Sequence, residues 1–246
     1  MEFLRVASGE AAPSLAVLQG DDDSLEPRAR ALAQVATTLT AEPWALTREA
    51  MEGLRRQGLD EAQVEAAVGV ISMFNYFTRV ADATGIEFDY LTPLPAFKPD
   101  LRQVNAPRPG RSVSSRPDAE PRLSPRPRHE RLRMAWDSWR SYVLEAGEPL
   151  SRPERRRLAS VAAEETGDWE GAEALGEGKS APDSDGVLAG FARKLSRQPW
   201  RMVGEDLERL RSAGYSEAAV LHAISVVAHQ NADSRLVTGL RAASRT

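Results

Sequence analysis

Forty-eight residues of this chain occur twice. Leu32 to Arg79 realigns without a gap on Leu188 to Arg235 at a constant offset of 156, and eighteen of the 48 positions are identical. The identical pairs include Pro43/Pro199, Trp44/Trp200, Gly58/Gly214, Asn75/Asn231 and Arg79/Arg235. Helical periodicity alone fixes where apolar residues fall, but it does not fix a Trp, an Asn and an Arg at matched places. The segment therefore reads as a duplicated helical unit, and that restricts the chain to an all-α fold of two related halves.

Within the first copy, Leu32, Val35, Ala36 and Leu39 follow the i, i+3, i+4, i+7 spacing of an amphipathic helix, and Leu188, Phe191, Ala192 and Leu195 repeat it. Pro43 and Pro199 end those helices. Thr47 is a predicted N-cap for a short helix running to Gly58, and Asp60 with Gln63 predicts a capping box for a long helix from Glu61 to Thr84, stopped by Gly85. The second copy predicts a helix to about Ser212, Gly214 as breaker, Ser216 as cap and a long helix through Leu240.

Between the copies the sequence changes character. Pro93 to Pro127 holds nine of the chain's 16 prolines, and residues 101 to 133 hold nine Arg against three acidic residues. This predicts a basic, disordered Pro/Arg-rich linker over 93–128, between an N-terminal unit over 1–92 and a C-terminal unit over 129–246. Helix resumes near Glu130 with Leu132, Trp136, Trp139 and Val143 as an apolar stripe, and a second helix over about Pro153 to Glu165 follows Ser151 as cap. Gly167 to Asp185 reads as a loop.

Composition narrows the function. With 41% hydrophobic and 28% charged residues and a net charge of -4, the chain falls in the soluble globular range and against general nucleic-acid binding. No apolar run approaches membrane-spanning length, so no membrane partner is expected. The start lacks a basic segment followed by an apolar core, so a cytoplasmic location is expected. The chain contains no cysteine, which removes thiol nucleophiles, thiolate metal sites and thiol redox cycling together. There is no Gly-rich phosphate loop and no Gly-x-Ser-x-Gly elbow, and no cofactor is expected.

Two sets of polar residues stand out. Asn75, Arg79 and Asp82 fall beside Val64, Val68 and Ile71 on one helical face, and Asn231 and Arg235 fall beside Ile224 and Val227. A guanidinium on a buried face needs a carboxylate, carbonyls or a bound anion; Asp82 is the nearest acid to Arg79, and Arg235 has Thr238 at that place instead. These five residues form either a network that fixes packing or a pocket for a small anionic ligand. The other set is His222, His229 and Asp233, which share a face within about 40° but lie about 150° from the apolar face of their helix. That predicts a surface or subunit-facing position, with His229 and Asp233 as the weak candidates for acid/base chemistry. Two ligands at i, i+4 fall short of a zinc site, so no metal is expected.

The run Phe74-Asn-Tyr-Phe-Thr-Arg-Val-Ala-Asp-Ala-Thr-Gly85, preceded by the Leu39 to Gly58 pattern, resembles the C-terminal helices of the alkylhydroperoxidase D-like, or carboxymuconolactone decarboxylase, superfamily. Leu150-Ser-Arg-Pro-Glu-Arg-Arg-Arg-Leu-Ala resembles the helix before that family's active site. The resemblance implies an all-α fold that self-associates as trimers or hexamers, with thiol-dependent peroxide reduction as the activity. That activity uses a Glu, a Cys-x-x-Cys pair and a His, which fall here near Arg156, Asp168 and Gly171, and Leu175. None matches. The expectation is a cysteine-less, degenerate member acting as a binding or homo-oligomeric scaffold protein. The alternatives are a cofactor-independent carboxymuconolactone decarboxylase-like enzyme on a small organic acid, and an anion-binding adaptor acting through the linker.

Overall fold

The structure is a computed structural model and describes residues 16–17, 21–86, 125–176 and 186–244. Among the described residues there are nine α-helices and no strands. They are α1 (Pro27–Ala41), α2 (Arg48–Arg56), α3 (Glu61–Thr84), α4 (Glu130–Glu145), α5 (Arg152–Glu165), α6 (Trp169–Leu175), α7 (Val187–Arg197), α8 (Gly204–Ser212) and α9 (Glu217–Ala243).

Local chemistry sets the ends of these helices. Asp60 Oδ1 accepts from Gln63 N at 2.8 Å while Gln63 Oε1 accepts from Asp60 N at 3.0 Å, the reciprocal capping box that satisfies two orphan amides at the start of α3. Thr47 caps α2 through Ala50 N, Ser216 caps α9 through Ala219 N, and Ser151 with Glu154 opens α5. Gly58 and Gly214 follow α2 and α8 at φ +82° and +94°, left-handed conformations that a residue with a Cβ adopts at a cost.

Element bounds in the two realigned segments coincide at the offset of 156. Helices α1 and α7 end at Ala41 and Arg197, the 3₁₀ turns run Pro43–Ala45 and Pro199–Arg201, α2 and α8 cover 48–56 and 204–212, and α3 and α9 start at Glu61 and Glu217. Helices α3 and α9 pack together in opposite directions. Val64 and Val68, early in α3, share a core with Ala232, Leu236 and Leu240, late in α9. Ala83, at the end of α3, lies with Val220, Ile224 and Val227, near the start of α9. A Cβ on Gly239 would overlap the Val68 side chain, so the absence of a side chain is what lets the two backbones approach this closely.

Helix α9 is the centre of the molecule. Every residue from Val226 to Val237 is buried, which no amphipathic surface helix achieves. Helices α3 and α7 cover one side, and α4, α5 and α6 cover the other.

Two boundaries expected from the sequence move. The Pro/Arg-rich segment was placed at 93–128 as a linker, but its last residues are docked: Arg128 N donates to Glu65 Oε1 at 2.7 Å, Pro127 is buried, and Arg126 pairs with Asp233. Residues 93–124 of that segment lie outside the described residues. The loop expected over Gly167 to Asp185 contains α6, because Asp168 Oδ1 accepts from Gly171 N at 3.0 Å and caps a short helix that buries Ala172 and Leu175. Leu132, placed in the apolar stripe of α4, is exposed, while Trp136 and Val143 of the same stripe are buried.

Candidate functional site

The buried polar residues fall into two groups, one on each side of α9. Between α3 and α9, Asn75 Nδ2 donates to Ile71 O at 2.9 Å and to Thr40 Oγ1 at 3.0 Å. Its counterpart Asn231 Nδ2 donates to Val227 O at 2.9 Å and to Ser196 Oγ at 2.8 Å. One turn on, Arg79 Nη1 donates to the carbonyl and side-chain oxygens of Asn75, and Arg235 Nη1 does the same to Asn231.

The second nitrogen of each guanidinium crosses to the other segment. Arg79 Nη2 donates to Ser196 O at 2.9 Å, and Arg235 Nη2 donates to Thr40 O at 2.7 Å. Thr40 and Ser196 occupy matched places, 156 residues apart, in the last turns of α1 and α7. Carbonyls there have no partner within their own helix and sit at the negative end of its dipole. Each arginine thus closes the C-terminus of the opposite segment's helix, which explains how two guanidiniums are buried without a bonded carboxylate.

Desolvation by burial pushes Arg79 down to about 10, partly offset by the charge of Asp82. Burial lowers Arg235 well below the usual arginine range, with the nearby Arg79 charge adding to the effect. The expected Arg79–Asp82 pairing is corrected: among the described residues no hydrogen bond or ion pair joins them, and Asp82, which is exposed, acts on Arg79 only through its charge. Among the described residues, the Nε atoms of the two guanidiniums have no hydrogen-bond partner.

On the other side of α9 the sequence reading is overturned. His229 and Asp233 were placed on a surface-facing side, yet His229 is 0% exposed and Asp233 is 4% exposed. The cause is α4. Trp139 packs edge-on against the His229 ring at 4.5 Å, and Trp136 Nε1 donates to Asp233 Oδ1 at 2.7 Å. Arg126 Nη1 also reaches Asp233 Oδ1 at 2.9 Å, and Arg140 Nε lies 3.6 Å from Oδ2.

These contacts commit the Asp233 carboxylate to an indole and two guanidiniums. His229 therefore forms no acid/base pair with it, and among the described residues neither ring nitrogen has a hydrogen-bond partner. Burial holds the imidazole down at about 4, with Asp233 opposing and Arg140 and Arg126 reinforcing. His229 is neutral near pH 7.

Further along this face, Gln230 Nε2 donates to Ser234 Oγ at 3.0 Å and Ser234 Oγ donates to Asp168 Oδ2 at 2.8 Å. Burial raises the Asp168 carboxyl above its usual range, against the hydrogen bonds from Ser234 and Gly171. His222, partly buried one turn into α9, accepts from Arg155 Nη2 at its Nδ1, 3.0 Å away. Arg155, fully buried, also donates to the carbonyls of Leu150, Val143 and Glu148. His129 lies exposed just before α4.

The structure thus brings together Asn75, Arg79, Asn231 and Arg235, leaves Asp82 outside them, and seals His229 and Asp233 apart from both. The sequence reading missed Asp168, Arg126 and Arg155. Their signals were weak: Asp168 sat in a presumed loop, Arg126 in a presumed tether, and nothing in a helical stripe marks an arginine that bonds carbonyls. Among the described residues no cluster of three or more His, Asp or Glu could hold a metal ion, and no helix is long and apolar enough to cross a membrane. The chain matches no protein-family profile, no curated protein and no solved structure.

Proposed function

We propose that this chain is a helical binding or scaffold protein built from two fused, related units, a cysteine-free likeness of the alkylhydroperoxidase D-like superfamily without thiol peroxidase activity. The observation that carries the reading is the reciprocal Arg79–Ser196 and Arg235–Thr40 pair of hydrogen bonds. A group that clamps substrate keeps donors free for it, whereas Nη1 of each guanidinium is spent on the asparagine one turn earlier and Nη2 on joining the halves. The Asp233 carboxylate is likewise spent on Trp136, Arg126 and Arg140.

The positions at which the family's active-site residues would fall support the same reading. Asp168 caps α6, and a Cβ at Gly171 would run into the Asp168 carboxylate, so the pair serves a tight turn. Arg156 holds Glu145 and the carbonyl of Ala174. No thiol stands at either place, and both oxygens of the Asp168 carboxylate are engaged by Gly171 N and Ser234 Oγ.

One assay separates this reading from its competitors. Metal-free, cofactor-free protein is presented with organic hydroperoxide and, in parallel, with a panel of small carboxylic acids in a melting-shift screen. The scaffold reading expects no turnover and no shift. Sustained peroxide reduction overturns it, and a saturable shift with one acid, lost in Arg235→Met, replaces it with a small-acid enzyme or binder.

A further inference from the structure

Helices α3 and α9 occupy matched places, yet their outward faces are inverted in polarity and in burial. On α9 that face carries Val226, His229, Gln230 and Asp233, all buried beneath α4, α5 and α6. On α3 the same places hold Val70, Met73, Phe74 and Phe77. Val70, Phe74 and Phe77 are 56%, 62% and 54% exposed. Among the described residues, the polar face is covered and the apolar face is bare.

From Ala62 to Ala81, no residue on the arc centred on these side chains is charged. The aromatic surface continues sideways: Phe77 meets Tyr76 at 5.6 Å, and Tyr76 meets Trp139 of α4 at 4.8 Å. A strip about 30 Å long carrying three exposed large apolar side chains is the kind of surface that marks an interaction site.

We propose that this strip is a homodimer interface, in which α3 packs antiparallel against α3 of a second copy about a two-fold axis. The shape of the strip selects that partner. It runs from small side chains (Ala62, Ala66 and Gly69) to large ones (Phe74 and Phe77). Antiparallel self-pairing seats the phenyl rings of each chain over the alanine and glycine end of the other, filling both. A parallel pair would set ring against ring and leave a gap at the other end. The absence of charge favours the same partner, because a self-complementary patch meets only its own residues and offers no counter-charge to a buried ion.

The strip offers a few hundred Å² per chain, short of the roughly 800 Å² typical of a stable interface. The dimer is accordingly weak, forming on the order of 10 to 100 μM. This gives the scaffold reading its partner, and it is decided by mass, whereas that reading is decided by turnover.

Sedimentation velocity on the full chain from about 1 to about 200 μM tests it. The expected result is a shift from 26.9 kDa towards twice that mass as concentration rises. Phe74→Glu should weaken association roughly 100-fold or more, since each substitution enters the interface twice. Phe74 is exposed in the single chain, so helicity and melting temperature should stay unchanged and serve as the folding control. The natural absence of cysteine permits a second arm: Ala66→Cys and Phe77→Cys proteins, mixed under oxidation, should form the mixed disulfide faster than either like pair. A monomer at every concentration, or a dimer indifferent to Phe74→Glu, overturns the proposal. So does faster Ala66→Cys self-linking, which means parallel pairing. A monomer whose Phe74→Cys thiol is shielded from maleimide also overturns it, assigning the strip to a segment of the same chain.

Discussion

Arg235 donates through Nη2 to the carbonyl of Thr40 at 2.7 Å, although 195 residues separate them along the chain. Arg79 makes the equivalent bond to Ser196. Each joins a buried cation to the unsatisfied end of a helix in the other segment, so the two bonds are worth more than surface contacts of the same length. Arg235→Ala should cost about 3 kcal/mol, because it strands Thr40 O and Asn231 Oδ1 away from water. Arg235→Lys should recover little of this, since one ammonium lacks the fork that reaches both acceptors. Urea unfolding measures both; a loss under about 0.5 kcal/mol for Arg235→Ala would show the bond to be dispensable.

The close approach of α3 and α9 makes a second, independent test. Gly239→Ala places a methyl into the Val68 side chain, and the helices must part or Val68 must move. The expected cost is about 1 to 3 kcal/mol. Adding Val68→Ala opens room for that methyl, so the double variant should be more stable than the sum of the two single losses predicts. Strict additivity in a denaturant series would contradict the packing described.

Acid should unfold this protein partly through His229. Its pKa is about 4 in the fold against an ordinary value of 6.5, so the unfolded chain takes up a proton that the folded chain refuses. The stability contributed by the neutral ring is therefore complete above about pH 7 and is lost as pH falls to about 4, by about 3 kcal/mol in all. Asp168 works the other way: its raised pKa is a cost while the carboxylate is ionised, and protonation relieves it. His229→Phe keeps a flat ring against Trp139 and should flatten stability between pH 7 and 4. An unchanged acid slope in that variant would remove His229 from the account.

Asp233 and Arg126 should differ sharply despite being partners. Asp233→Ala leaves the Trp136 indole N–H, Arg126 and Arg140 without their acceptor, and should cost about 3 to 5 kcal/mol. Arg126→Ala should cost about 1 kcal/mol, because its side chain is partly solvated and Arg140 remains beside the carboxylate. Thermal melts of the two variants side by side check the order; equal losses would mean that the carboxylate is not the hub.

The helix ends were legible because capping is local. Asp60 with Gln63, Thr47, Ser216 and Ser151 each declare a start within four residues, and the structure uses all four. The antiparallel embrace of α3 and α9 was not legible, because the matched sequences say that two helices are alike and not how they meet. The face of α9 misled for a physical reason. Periodicity assigns a polar face to water, but His229, Gln230 and Asp233 were covered by α4 and α6, whose arrival depends on Trp136, Trp139 and Asp168, more than fifty residues away. For the same reason the sequence named Asp82 as the nearest candidate for Arg79 and could not single out the carbonyl of Ser196, 117 residues distant.

The crossed arginines also bear on what happens when the chain is cut. Each piece released by a protease acting between Ile86 and Pro125 would carry one guanidinium whose acceptor is on the other piece, and one helix end whose donor is on the other piece. Such fragments should remain associated after the peptide bond is gone, melt in one step, and restore the parent spectrum when expressed separately and mixed. The molecule would then behave as a split protein.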